Sequence, residues 1–375
     1  MTIGVGRCGR PRGPWARHRR GRGDGVRRPE LAAAGALTLS NAHVEVTVLA
    51  GKGADIYSLV DLRTGVDVLW KTPWGLRQPG LWGRASSSQE RWLEAYPGGW
   101  QLLLPNGGDE CEEHGATWGF HGEAALVRWE VAEVGATSAT LETELFSAPL
   151  HVTREFFLDG PVLRLHEVVR NLSPSQVEVM WSHHPAFGAP FVDQGCLLFA
   201  GCKSVVADDR EPGTFLAAAS EHDWPVVQAR DGKPVDLGLL PGPEDRRAVL
   251  AYLSGFGSGW FAITNPRLRL GVGLRWPLEV FPCAWLWQEA HASAGWPWWG
   301  RAYVVAVEPA STFPGQGLAN ARAKGGRGVL LAGHSEMGAV VEAVLFEATG
   351  AVSGIEEGGK VALGGPEGGG EDVGA

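Results

Sequence analysis

The sequence predicts an all-β protein, built as one large antiparallel β-sandwich with few short helices. In many short segments apolar residues alternate with polar ones, which is the pattern of a half-buried strand. Strand-like segments do not alternate with helical ones, as they would in a parallel α/β sheet. The 54 glycines and 24 prolines favour short elements joined by turns.

The alternation is clearest in four segments. In chain order, its apolar or β-branched positions are Val44, Val46 and Val48, then Leu141, Thr143 and Leu145, then Leu163 and Leu165, and finally Leu268, Leu270, Val272, Leu274 and Trp276. Each segment ends at turn-forming residues, so we expect antiparallel strands joined by turns. Helices are predicted only at Glu30–Leu37 and Gly213–Ser220.

The length of 375 residues suits two average domains or one large all-β domain. We expect residues 31–363 to form a single sandwich. Residues 1–30 contain nine arginines and no apolar core of a secretory signal, and we expect a disordered arm there. A basic arm for nucleic acid or anionic lipid is the alternative. Residues 364–375, rich in glycine and acids, are expected to be a loose tail.

Charge and cysteine content narrow the function classes. The net charge is −9 for the whole chain and −16 after the arm, which argues against nucleic acid as the main partner. The sequence contains no apolar run of about 18 residues, so no membrane-spanning helix is expected. Five cysteines without a Cys-x-x-Cys pair argue against a disulfide framework or a zinc site, and they favour the cytoplasm.

The segment 97–129 combines a short apolar run with a glycine-rich loop. Glycines allow such a loop to pass close to a ligand. Its polar side chains are Asn106, Asp109, Glu110, Glu112, Glu113, His114 and His121. The acidic residues lack a fixed ligand spacing, so a solvated acidic loop is favoured over a metal site.

A second segment, 177–191, carries two adjacent histidines. Because side chains of a strand alternate between its faces, His183 and His184 are expected to point in opposite directions. Pro185 removes a backbone donor and is expected to end the strand beside His184. Catalytic groups are common where strands meet loops, and His184 is therefore a candidate.

A third segment, 283–311, concentrates indole side chains: Trp285, Trp287, Trp296, Trp298 and Trp299. Aromatic faces pack against the C–H faces of sugars, although ordinary core packing explains at least half of these tryptophans. Glu308 follows a nearly all-apolar strand and precedes Pro309. Burial there would raise its pKa and suit it to act as a general base.

The succession HGEAALVRW, WSHHPAFG and VVAVEPAS resembles the galactose mutarotase-like superfamily, which includes the aldose 1-epimerases. The order and spacing of these motifs match from Leu37 to about Leu363. The segment GHSEMGAVVEAVLFE is similar to the final strand of that family. The resemblance implies a β-supersandwich with a sugar site in a cleft on one sheet.

The resemblance also implies the site residues of an isomerase that interconverts α and β anomers. His184 matches the general acid that protonates the ring oxygen, and Glu308 matches the general base that takes the anomeric hydroxyl proton. His121 matches a histidine that assists binding. No metal or organic cofactor is implied. The side chains expected to contact the sugar are Asn106, Trp181, Trp285, Gln288 and Arg301.

The sequence departs from the family at one arginine before the first histidine, where it has Tyr96 and Pro97. Possible substitutes are Arg84, Arg91, Arg128 and Arg301. The hydroxyl-binding aspartate of the family has no assigned equivalent here. A non-catalytic sugar-binding protein is therefore the alternative function, and glycoside hydrolysis with Glu289 as a second acid is a further one. We expect a small sugar as ligand and a monomer or homodimer.

Overall fold

The computed structural model describes residues 29–77 and 86–364. Residues 1–28 of the expected arm and 365–375 of the expected tail lie outside the described residues, as does Arg84. The cysteines among the described residues, namely Cys111, Cys196, Cys202 and Cys283, all have free thiols.

Strands make up most of the described chain, as the alternating segments predicted. The first fourteen are β1 (Ala36–Ser40), β2 (Val44–Leu49), β3 (Asp55–Asp61), β4 (Val66–Asp67), β5 (Trp100–Leu103), β6 (Cys111–Glu113), β7 (Ala116–Trp118), β8 (Glu130–Val134), β9 (Ser138–Glu144), β10 (Leu150–Asp159), β11 (Val162–Asn171), β12 (Val177–Val179), β13 (Ser182–Gly188) and β14 (Leu197–Ala200). The others are β15 (Ser204–Ala207), β16 (Glu221–Asp223), β17 (Val226–Gln228), β18 (Pro234–Asp236), β19 (Ala248–Ser254), β20 (Gly259–Asn265), β21 (Leu270–Trp276), β22 (Cys283–Ala290), β23 (Tyr303–Ala310), β24 (Val329–Leu331), β25 (Glu336–Phe346), β26 (Val352–Ile355) and β27 (Val361–Leu363).

Two large antiparallel sheets form the sandwich. The first runs β1-β2-β3-β5-β13-β23-β22-β19-β15-β16, with β4 beside β3, and the second runs β14-β20-β21-β25-β11-β10-β9-β8. Four two-stranded ribbons, β12–β24, β17–β18, β26–β27 and β6–β7, complete the strands of the described chain. This architecture confirms the predicted all-β sandwich.

Burial along the strands shows which sheet faces are covered. In β10 every second side chain is buried, as expected for a strand with one face toward the core. In β13 every residue is buried, and in β23 all but the first are. The outer face of the first sheet is therefore covered at β13 and β23, and the site described below lies there.

The helices are short: α1 (Pro29–Ala33), α2 (Ser88–Ala95), α3 (Leu318–Ala323) and a 3₁₀ turn at Glu357–Gly359. The helix expected at Glu30–Leu37 ends at Ala33, because strand β1 already starts at Ala36. The prediction of a helix at Gly213–Ser220 was wrong. Gly213 has φ +96° and forms a β-bridge with Val249, so this segment pairs with β19 instead of coiling on itself.

One apolar core joins the two sheets. It includes Val48 and Trp100 from the first sheet and Phe156 and Leu165 from the second. A smaller cluster lies under the β26–β27 hairpin. Within the described ranges, none of the helices is long and apolar enough to cross a membrane.

Candidate active site

His183 and His184 point to opposite faces of β13, as strand alternation predicts. The ring of His183 lies between the two sheets, where it contacts Trp100 and Phe281. The ring of His184 lies on the outer face of the first sheet and packs against Trp92 and other aromatic side chains. Only His184 is thus placed to meet a ligand.

His184 belongs to a row of side chains that crosses the first sheet. Gln101 of β5 is its partner on one side, and the register of β13 against β23 places Glu308 on the other. Trp285 of β22 pairs with Glu308, and Tyr252 of β19 pairs with Trp285. Residues far apart in the chain are therefore neighbours, and His184 Nε2 lies 3.6 Å from Glu308 Oε1.

Burial governs the protonation of this pair. Glu308 is 3% exposed, and its Oε2 atom has no hydrogen-bond partner in the part of the chain that the structure describes. Burial raises the pKa of Glu308 well above the ordinary value. Burial lowers the pKa of His184 to about 4, and the positive charge of Lys52 adds to this effect. Burial therefore favours the neutral form of both side chains. A general acid at His184 requires the charged imidazolium and a general base at Glu308 requires the carboxylate, so both shifts act against those starting states.

His121 completes a group of three polar side chains. Its backbone N–H donates to Gly108 O, and its Nδ1 accepts a hydrogen bond from Gly108 N at 2.9 Å. Burial lowers its pKa well below the ordinary value, so the ring is neutral and carries its proton on Nε2. Its ring centroid lies 5.8 Å from that of His184. His121 can therefore donate one hydrogen bond to a ligand.

Two glycines bring the loop that precedes His121 close to the sheet. A Cβ on Gly108 would lie 1.8 Å from Gly315 O, and one on Gly107 would lie 2.7 Å from the Trp285 ring. Gly108 also has φ +77°, a backbone conformation that favours glycine. The glycine-rich loop does approach the site, as predicted from its composition.

Aromatic side chains surround the polar group. Trp92 of α2 lies 4.6 Å from His121 between ring centroids, and Trp287 lies 5.8 Å from His184. Trp285 is 6.5 Å from His121, and the Tyr96 hydroxyl is 3.4 Å from His184 Nδ1. The site therefore combines three groups able to exchange or donate protons with flat apolar surfaces.

Two of the expected sugar-binding residues have other surroundings. Asn106 is fully buried and ties loops together, since its amide donates to Asp109 O and accepts from Leu318 N. Gln288 is three positions after Trp285 in β22. Because successive side chains of a strand point to opposite faces, the two lie on opposite faces of the sheet. Neither side chain is brought to His184.

Trp181 and Arg301 also lie away from the site. Trp181 points between the sheets and donates through Nε1 to Glu167 at 3.1 Å. Arg301 is exposed and donates to Pro73 O at 3.1 Å. Of the five expected sugar-binding residues, the structure places only Trp285 beside the catalytic candidates.

Sequence reasoning missed Trp92, Tyr96 and Lys52. Trp92 and Tyr96 are four residues apart at the end of α2, a helix that was not predicted, and their rings stack at 4.8 Å. A serine followed three residues later by a glutamate is a typical start of a helix, and here Ser87 accepts a hydrogen bond from Glu90 N as the N-cap of α2. This pattern could have predicted the helix. Lys52 is 1% exposed and forms an ion pair with Asp55.

The acidic loop is paired within the protein. Asp109 binds Arg210 at 2.6 Å, and Glu113 binds Arg322. In the ranges 29–77 and 86–364, no three His, Cys, Asp or Glu side chains are grouped as metal ligands.

Solved structures with the same architecture come from several bacteria. The Slr1438 protein from Synechocystis sp. PCC 6803 matches with a TM-score of 0.60 and 16% identity, over 83% of this chain and 96% of that one. The galactose mutarotase related enzyme from Lactobacillus acidophilus matches at 0.58 and 15%, over 84% and 98%. A galactose mutarotase-like protein from Lactobacillus casei matches at 0.55 and 16%, over 83% and 100%.

These identities show the fold, which is that of the galactose mutarotase-like proteins, as the motif resemblance implied. No curated protein matches the sequence significantly. One family model covers residues 32–340, which is most of the chain. The chain therefore belongs to the family described as Domain of unknown function (DUF4432).

Proposed function

We propose that the protein is an aldose 1-epimerase-like isomerase that uses His184 and Glu308 to interconvert the anomers of a sugar. The observation that carries this proposal is the buried pair itself. His184 Nε2 and Glu308 Oε1 are 3.6 Å apart, and Glu308 Oε2 has no hydrogen-bond partner among the described residues. An unsatisfied buried oxygen is costly unless a ligand hydroxyl can satisfy it.

Mutarotation requires one proton donor and one proton acceptor. The anomeric hydroxyl loses its proton, the bond between C1 and the ring oxygen breaks, and the ring oxygen gains a proton. The open-chain sugar rotates about C1–C2, and the same two transfers run backwards to close the other anomer. With the shared proton on His184, that residue is the acid and Glu308 the base; with the proton on Glu308, the roles exchange. Either arrangement supplies both transfers.

The surrounding groups fit a sugar ring. His121 offers one N–H donor to a ring substituent. Trp92 and Trp285 are buried against His121, and a sugar admitted between these side chains would meet flat apolar rings that suit its C–H face. Asn106, Trp181, Gln288 and Arg301 are not part of this proposal, because they lie elsewhere or are already engaged.

NMR exchange spectroscopy of anomeric protons tests the proposal on a panel of aldoses, ketoses and their phosphates. We expect the wild type to accelerate exchange for at least one sugar, and we expect Glu308→Gln to reduce that rate by about 10² to 10⁴. Glu342→Gln is the matched control, since Glu342 is equally buried but lies in the second sheet. Unchanged exchange in Glu308→Gln would contradict the assignment.

The alternative is sugar binding without catalysis. It is favoured by the aromatic surroundings of His184, because they outnumber the polar groups of the site. In the same experiment, sugar lines that broaden without accelerated exchange would support this alternative.

A further inference from the structure

An ion pair lies between the two sheets, directly behind the proposed active site. Arg154 of β10 and Glu167 of β11 are register partners and are at most 1% exposed. Arg154 Nε donates to Glu167 Oε1 at 2.8 Å, and Arg154 Nη1 donates to Ala54 O at 2.7 Å. The pair belongs to the second sheet, but Ala54 precedes strand β3 of the first. It therefore connects the two sheets.

The second carboxylate oxygen of Glu167 faces the strand that carries His184. Trp181 Nε1 donates to Glu167 Oε2 at 3.1 Å, and His183 Nε2 lies 3.5 Å from the same atom. Trp100 Nε1 donates to His183 Nδ1 at 3.2 Å. An indole N–H can only donate, so His183 carries its own proton on Nε2, which lies close to Glu167 Oε2 but without hydrogen-bond geometry. One carboxylate thus contacts two residues of the segment immediately before His184.

Net stability does not account well for such a pair. Removing two charges from water costs several kcal/mol per ion, and apolar residues of similar volume are often as stabilising or more so. Its contacts, however, fix the backbone from which His184 projects. The 3.6 Å separation between His184 and Glu308 depends on that backbone, and a displacement of about 1 Å in an active site can cost about 10² in rate.

We propose that Glu167 and Arg154 are positioning residues, which hold His184 toward Glu308 through Trp181 and His183. This inference rests on the proposed function and adds residues from the opposite sheet to it. It also gives Trp181 a role that differs from the sugar contact expected from the sequence.

The first test is the double variant Arg154→Met/Glu167→Met, which replaces both members of the pair by flexible apolar side chains and leaves neither charge without its partner. We expect a folded protein whose kcat for anomer exchange falls about 10- to 100-fold, with KM nearly unchanged. The control is Arg164→Met/Glu342→Met, which removes a partly buried ion pair of the second sheet, with Arg164 Nε 3.0 Å from Glu342 Oε1. The control pair does not contact β13, so the kcat of the control variant should equal that of the wild type.

A second readout does not depend on turnover. In protein labelled with ¹⁵N-histidine, the imidazole nitrogen shifts of His184 report its tautomer and surroundings. We expect these shifts to change in the Met/Met variant and to stay constant in the control. Trp181→Phe, which removes one donor to Glu167, should cause a smaller change in the same direction and decides the question if the double variant does not fold.

The inference is overturned if the Arg154/Glu167 double variant has the kcat and the His184 nitrogen shifts of the wild type. If the double variant does not fold, the same two results in Trp181→Phe overturn it. If the wild type itself exchanges no sugar anomers, the proposed function fails. The nitrogen shifts then still decide whether the ion pair positions His184.

Discussion

At the scale of single residues, His184 and Glu308 form a pair in which burial disfavours charge on both partners. A neutral imidazole beside a protonated carboxyl avoids the cost of burying ions. Burial drives both pKa values in the direction of this neutral state. In their neutral forms the two side chains need no buried counter-ion.

The lowered pKa of His184 predicts how stability depends on pH. In the unfolded chain the histidine binds a proton below pH 6.5, whereas in the folded protein it does so only near 4. The protein should therefore lose stability as the pH falls from 6.5 toward 4, by about 1.4 kcal/mol per unit for this group. Glu308 acts in the opposite sense, because its raised pKa costs stability as the pH rises through it.

Urea unfolding of the wild type and His184→Gln at pH 6.5 and pH 5 checks this prediction. The variant should lose less stability than the wild type over this interval, by about 2 kcal/mol. His43→Gln, a change at an exposed histidine, controls for the replacement of an imidazole by an amide. Equal losses in the wild type and His184→Gln would contradict the buried, neutral histidine.

Strand alternation was a sound guide for some residues and not for others. It correctly assigned His183 and His184 to opposite faces, and Arg154 and Glu167 at inward positions of β10 and β11 were visible in the same pattern. The same alternation shows that Gln288 cannot share a sheet face with Trp285, so it argues against Gln288 as a second sugar contact. It could not show that Asn106 is engaged by other loops, because those contacts join distant parts of the chain.

At the scale of elements, the glycine-rich loop is held by close backbone contacts that leave no room for a side chain. Gly108 has φ +77°, and an added Cβ would lie 1.8 Å from Gly315 O. The loop also positions His121 through both hydrogen bonds with Gly108. A substitution that displaces this loop is therefore expected to displace His121 as well.

We predict that Gly108→Ala destabilises the protein by more than about 1 kcal/mol and weakens any activity at the site. Gly115→Ala is a matched control, since Gly115 has φ +81° but no atom of the described residues within 4 Å of an added Cβ. Urea unfolding of both variants separates backbone strain from the steric clash. If the two variants lose equal stability, the close approach of Gly108 to Gly315 is not important.

Elements with strict alternation were predictable, and short helices were not. Helix α2 has only eight residues, and its apolar positions are few compared with those of the strands. The segment 213–220 contains helix-forming alanines, but the β-bridge to strand β19 determines its conformation. Tertiary pairing thus outweighs local propensity in such short segments.

At the scale of the whole molecule, the two sheets share one core, and this predicts cooperative unfolding. Urea denaturation followed by tryptophan fluorescence and by far-UV circular dichroism should give coincident single transitions. The indoles of Trp100 and Trp181 lie between the sheets, so their fluorescence changes when the two sheets separate. Two transitions, or two different midpoints, would show that the sheets unfold independently.

The sequence could predict the strands but not their order in the sheets. The row that joins Gln101, His184, Glu308 and Trp285 exists because β5, β13, β23 and β22 are neighbours. No local pattern encodes that order. The motif resemblance implies that His121, His184 and Glu308 share one site, but it does not state the strand order that brings them together.

The burial of the site also has a consequence for association kinetics. His184 is 5% exposed and Glu308 is 3% exposed, and Glu308 Oε2 is closed to water. A sugar can reach both groups only after the side chains that bury them have moved. Binding that waits for such a rearrangement is slower than encounter by diffusion, so a ligand of this site should bind slowly even when it binds tightly.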